Sequence, residues 1–141
     1  MFGSTASGYA LKGSDIDLLV FYPAVKFNNL CDAIHKRLLK VKAFEYVERI
    51  YASVPILKLK DNKTGLFVDI AFNRDDGIYG CLVSVFAGQL YPELRPLYFV
   101  VKAFLRERQL DQTRKGGVCS FMIINMLVYF LQQQYKEKKV S

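Results

Sequence analysis

The sequence has little of several things, and each scarcity excludes something. A single histidine, His35, rules out metal sites built on two histidines, HExxH among them, and would force any Ser-His-Asp triad through that one residue. Cys31, Cys81 and Cys119 are odd in number, far apart and without paired spacing. They argue for a reducing compartment and against a zinc site, and are expected to act as buried hydrophobes. The longest apolar run, Val118 to Leu131, is broken by Ser120 and Asn125 and falls short of the ~20 residues of a membrane helix, so no membrane association is expected. It reads as a buried helix. No basic segment followed by an apolar stretch opens the chain, so no signal peptide is expected. Internal repeats and low-complexity tracts are absent.

What is present is the material of a globular fold. The 141 residues are 52% hydrophobic and 23% charged, enough for a core that needs no disulfide or structural metal, which excludes disorder, collagen and coiled coil. The net charge of +7 is unevenly placed: residues 1–85 hold 11 basic and 9 acidic side chains, residues 86–141 hold 9 and 4.

Alternation of Ile16, Leu18 and Val20 with Asp15, Asp17, Leu19 and Phe21 predicts a strand leaving the Gly13-Ser14 turn, with both carboxylates on one face. Apolar residues at helical spacing from Phe27 to Val41 predict an amphipathic helix of about four turns. His35 lies on its polar side beside Lys36 and Arg37 and reads as a surface residue. Three β-like runs follow, Phe44 to Tyr51, Ile56 to Lys60 and Leu66 to Phe72, the last two joined by Asp61-Asn62-Lys63-Thr64-Gly65 as an antiparallel hairpin. Thereafter the pattern is helical: loosely over Ile78 to Leu90, firmly from Tyr91-Pro92-Glu93 to about Leu110, and again from Ser120 to about Tyr135. Lys136 to Lys139 reads as a solvated helix end, with a nonspecific RNA backbone contact as the other reading.

Two constellations carry possible chemistry. Gly3-Ser4 offers close backbone approach and a hydroxyl to an anion, and Asp15 and Asp17, two apart on a strand, suit shared divalent cations such as Mg²⁺ or Mn²⁺. The plain alternative is that the aspartates are turn and cap residues. Asp69 stands among the apolar residues of Val68-Asp69-Ile70-Ala71-Phe72, where an unpaired carboxylate is costly. It either joins the first two around two cations, as in phosphoryl or nucleotidyl transfer, or pairs with a Lys or Arg on a neighbouring strand.

Phe2-Gly3-Ser4-Thr5-Ala6-Ser7-Gly8, Gly13-Ser14-Asp15-Ile16-Asp17-Leu18-Leu19-Val20 and Val68-Asp69-Ile70-Ala71-Phe72 closely resemble the motifs of the DNA polymerase beta superfamily of nucleotidyltransferases. Within it the chain resembles the noncanonical poly(A) polymerases of the nuclear TRAMP type and the terminal uridylyltransferases. Tyr91-Pro92-Glu93-Leu94-Arg95-Pro96-Leu97, Val101-Lys102-Ala103-Phe104-Leu105, Arg108-Gln109-Leu110 and Gly116-Gly117-Val118-Cys119-Ser120-Phe121 match the start of their helical central domain. The resemblance implies an α/β (α+β) fold: a polymerase beta-like mixed sheet with flanking helices over residues 1–85, then the first helices of an α-helical central domain over 86–141. It also implies truncation at both ends. One strand before Gly3-Ser4 is expected to be missing, as is the later segment that contacts the nucleobase.

The resemblance further implies roles. Asp15 and Asp17 would bind both metal ions, and Asp69 would bind the catalytic one and help activate the primer 3′-hydroxyl. Gly3 and Ser4 would hold the triphosphate. Lys102 and Arg106, one helical turn apart, and Ser120 would lie near the phosphates, and Phe121 would stack on the base. Read without the resemblance, Lys102 and Arg106 are a solvated helix face and Phe121 a core residue. Gly80 and Phe121 stand where many uridylyltransferases carry Asn and Tyr, which leans toward ATP over UTP. The implied activity is template-independent addition of AMP to an RNA 3′ end in RNA processing or surveillance, in the nucleus rather than the cytoplasm. RNA-binding or helicase subunits of a TRAMP-like complex are implied partners. The rivals are uridylyl transfer, the same chemistry on a small hydroxylated acceptor, and a catalytically silent RNA-binding fragment.

Overall fold

Four strands, β1 (Ile16–Val20), β2 (Phe44–Ile50), β3 (Ile56–Asp61) and β4 (Phe67–Phe72), form one mixed sheet in the order β1-β4-β3-β2. These come from a computed structural model that describes residues 1–22, 24, 26–51, 56–73 and 75–140. The chain divides into two compact units, Met1–Tyr79 and Gly80–Ser141.

In the first unit β1 runs parallel to β4, with Asp17 opposite Asp69, and β4 is antiparallel to β3, with Asp69 opposite Lys58. The expected β3–β4 hairpin is present, and local chemistry sets its turn. The Asp61 carboxylate accepts from the Thr64 hydroxyl at 2.7 Å and from the Thr64 N–H at 2.8 Å, which holds its carboxyl below the usual range. Gly65 closes the turn at φ +69°, a conformation that costs a residue without Cβ nothing.

Helix α2 (Phe27–Leu38) covers one face of the sheet. Its Leu30, Cys31, Ile34 and Leu38 pack with Leu18, Val20, Leu57, Leu59, Ile70 and Phe72, and Cys31 and Leu57 are wholly buried. Period-2 alternation therefore commits Leu57 and Leu59 to the core and Lys58 to the other face. The helix ends three residues short of its apolar spacing. Tight bonds from Lys40 N–H to the Arg37 carbonyl and from Val41 N–H to that of Leu38 turn the chain toward β2, and Leu39 and Val41 are left exposed. His35 is half-buried in the last turn rather than fully solvated.

Helix α1 (Gly3–Ser7) precedes β1, and helix α3 (Asp76–Leu90) spans the division between the units. In the second unit α4 (Leu94–Glu107) and α5 (Ser120–Val140) pack together and bury Leu94, Tyr98, Ile123, Ile124 and Leu131. Helix α4 stops at Glu107 rather than near Leu110. Gln109 adopts φ +57°, and the Leu110 carbonyl accepts the Val118 N–H at 2.8 Å, so the connection folds back on itself. Of the three free cysteines only Cys31 is a buried hydrophobe; Cys81 and Cys119 are half-buried, and the Cys119 sulfur accepts the Met122 N–H at the start of α5.

Candidate active site

The face of the sheet opposite α2 carries a short charged row. Because Leu18 and Val20 turn toward the helix, Asp17 turns away from it, and the parallel register sets Asp69 beside it. The antiparallel register then sets Lys58 beside Asp69. The Lys58 ammonium lies 3.0 Å from Asp69 Oδ1 and 3.4 Å from Oδ2, and 2.7 Å from Asp15 Oδ2. Asp15 itself sits one residue before β1 rather than within it. Of the two readings of Asp69 made from the sequence, the structure shows the pairing with a lysine on the adjacent strand, and Asp15 shares the same ammonium.

The electrostatics follow from this crowding. Burial, then the carboxylates of Asp69 and Asp15, push the Asp17 carboxyl up to about 6 against the relief offered by Lys58. Burial alone would lower the Lys58 ammonium, but hydrogen bonds to Asp15 and Asp69 outweigh it and hold the group above its ordinary value. The Lys58 and Asp69 side chains are only 21% and 22% exposed, so water screens the pair weakly.

Gly3 and Ser4 are brought to this row by a backbone bridge. Phe2 pairs with Asp17, its N–H donating to the Asp17 carbonyl at 2.9 Å, and Gly3 turns the chain into α1 at φ +69°. A Cβ on Gly3 would overlap the Asp17 carboxylate, so glycine is required by both conformation and space. The Ser4 carbonyl accepts the Gly8 and Tyr9 N–H groups and closes the short helix.

In the second unit, Lys102 does not lie on a solvated face: it is 14% exposed and paired with Asp111 at 3.0 Å. Arg106 is exposed one turn further along α4. The Ser120 hydroxyl hydrogen-bonds the buried Tyr98 phenol, whose pKa burial raises. Phe121 is 43% exposed rather than a core residue, and its ring lies 3.6 Å from where a Cβ on Gly80 would stand. Two participants escaped the sequence reading. Lys58 had a signal, because a hairpin closed at Asp61–Gly65 places it opposite Asp69 once the register is counted back from the turn. Asp111 had none, since its partner is set by the fold of the 108–119 connection.

Three carboxylates supply only hard oxygen donors, the set that divalent Mg²⁺ or Mn²⁺ takes. The Asp17 carboxyl is raised first by burial and only then by the charges of Asp69 and Asp15, and an ammonium already bridges two of the three groups. The donor chemistry therefore fits, although among the described residues no three His, Cys, Asp or Glu groups converge at metal-binding spacing.

Comparison with known proteins bears on the fold. The polymerase core of TRAMP, an RNA surveillance complex, superimposes with a TM-score of 0.80 at 33% identity, covering 92% of this chain and 41% of that one. The Cid1 poly(U) polymerase, solved with Mg 3′-dATP bound, gives 0.79 at 30% identity over 92% and 41%. The mixed sheet and flanking helices are thus those of polymerase beta-like nucleotidyltransferases. In sequence the chain is 37% identical over 137 residues to poly(A) RNA polymerase cid14 of Schizosaccharomyces pombe, covering 94% of this chain but 20% of the relative. It therefore spans a fifth of that relative's length. The model of the poly(A) RNA polymerase, mitochondrial-like, central palm domain matches residues 1–84, and the chain belongs to that family.

Proposed function

We propose that this chain is the catalytic palm, with adjoining helices, of an RNA 3′-terminal nucleotidyltransferase that adds AMP from ATP. The observation that carries the reading is the placing of Asp15 and Asp69 on the Lys58 ammonium, with Asp17 beside Asp69, on the face of the sheet opposite α2. Asp15 and Asp17 would hold two divalent cations, Mg²⁺ or Mn²⁺, and Asp69 one of them. Such ions, when bound, neutralise charge on the attacking and leaving oxygens of an in-line displacement.

The remaining roles belong to the chain's own groups. Asp69, beside Asp17 in the parallel register, would accept a hydrogen bond from a 3′-hydroxyl and raise its nucleophilicity. Gly3 allows a triphosphate to approach the backbone closely, and Ser4 offers its hydroxyl. Lys102 and Arg106 supply positive charge to phosphates, with Asp111 orienting Lys102. Ser120, tied to Tyr98, presents a hydroxyl from the first turn of α5, and the exposed ring of Phe121 offers a face on which any base can stack. Gly80 and Phe121, where many uridylyltransferases carry Asn and Tyr, lean this reading toward ATP over UTP. An RNA 3′ end is the acceptor, and RNA-binding or helicase subunits of a TRAMP-like assembly in the nucleus are the proposed company.

The test is extension of a labelled RNA oligonucleotide with each of the four nucleoside triphosphates in Mg²⁺ and in Mn²⁺. The expected product is an A-tail, lost in Asp15→Ala and in Asp69→Ala. A U-tail would replace the ATP assignment with the uridylyltransferase reading. RNA binding that weakens steeply with salt, without product from any triphosphate, would identify a silent RNA-binding fragment instead.

A further inference from the structure

Lys58 is the one member of the charged row that the transfer reaction above does not employ. Its placement is dictated rather than incidental: Leu57 and Leu59 are buried beneath the sheet, so Lys58 must emerge on the carboxylate face, and the register sets it opposite Asp69. Lys60 emerges on the same face two residues later, yet it pairs at 2.8 Å with Glu45 on β2, whose side chain is 58% exposed. The two lysines share the Phe67 ring, at 5.3 Å and 5.9 Å from its centroid.

An ammonium has three protons to donate, and the three short approaches of Lys58 are to Asp15 Oδ2, Asp69 Oδ1 and Asp69 Oδ2. They occupy carboxylate oxygens that a divalent cation would need. Two positive groups cannot share those oxygens at ligand distance without strong repulsion. We propose that Lys58 is the resident counter-ion of the metal-free palm, holding Asp15 and Asp69 until an incoming divalent cation displaces it. The inference rests on the reading of Asp15, Asp17 and Asp69 as the metal-binding set, and deepens it by making metal entry an exchange of cations.

The experiment is calorimetric titration of the full chain with Mn²⁺ alone, comparing the wild type with Lys58→Met, which keeps the stem and removes the charge. Thermal melting of both, with and without Mn²⁺, accompanies it. The expected result is a lower metal-free melting temperature for Lys58→Met, together with Mn²⁺ binding tighter by about tenfold, within the ordinary 5- to 150-fold range of coupling between two ligands. A folded Lys58→Met that binds Mn²⁺ with unchanged or weaker affinity overturns the exchange while leaving the metal site standing. If neither protein binds Mn²⁺, the metal reading falls and the exchange with it. A second measurement does not depend on a variant folding: the Lys58 side-chain ammonium NMR signal of the wild type should lose its hydrogen-bonded character as Mg²⁺ is added. An unaltered signal at saturating Mg²⁺ overturns the proposal.

Discussion

Asp17 shows how much one side chain's environment can decide. Its carboxyl is raised from 3.8 to about 6, first by burial and then by Asp69 and Asp15, so the folded metal-free protein binds that proton more tightly than the unfolded chain does. Between those two values the unfolded state ionises first, so the Asp17 contribution to stability falls as pH rises from about 4 to about 6. After allowance for partial exposure the loss is about 1–2 kcal/mol. Urea denaturation of the metal-free protein at pH 4.5 and pH 7 should show it, and Asp17→Asn should flatten that part of the profile. Gly3→Ala belongs to the same corner. The added methyl overlaps the Asp17 carboxylate at a positive φ, and a loss of about 1–3 kcal/mol is expected, read as a lower denaturation midpoint.

At the scale of elements, the hairpin and α2 do most to build the site. Leu57→Ala empties the centre of the layer between α2 and the sheet and should cost about 2–5 kcal/mol by chemical denaturation. Because the same strand carries Lys58 on its other face, that variant should also loosen the hold on Asp15 and Asp69. In the second unit a Cβ on Gly117 would overlap the Leu110 carbonyl, so Gly117→Ala should open the 108–119 connection. Hydrogen exchange at Val118 N–H should rise by an order of magnitude or more if the opening costs at least ~1.4 kcal/mol. Strands were legible because alternation and the Asp61–Gly65 turn are local signals. The ends of α2 and α4 were not, since Leu39, Val41 and Leu110 continue an apolar rhythm that tight turns and the reversal at Gln109 cut short.

For the whole molecule, the two units differ in surface as well as in architecture. The sheet unit holds 11 basic and 9 acidic residues, while residues 80–141 hold 9 and 4. Helix α3 exposes Leu82, Val83 and Phe86, and helix α5 exposes Met126, Tyr129 and Phe130, at 48% or more each, grouped large apolar side chains of the kind that promote association. The chain on its own should therefore associate as its concentration rises, visible as a growing light-scattering mass, and Phe86→Ser with Phe130→Lys should reduce it. The sequence by itself determined the strands, the hairpin, the helical second half and the three carboxylates, because periodicity, turn chemistry and motif spacing are properties of neighbouring residues. Only the tertiary structure decided which cations these groups and their counterparts meet. Lys58 reaches Asp15 across 43 positions of chain and Lys102 finds Asp111 through a folded connection, and such pairings are set by strand order and loop closure rather than by local sequence.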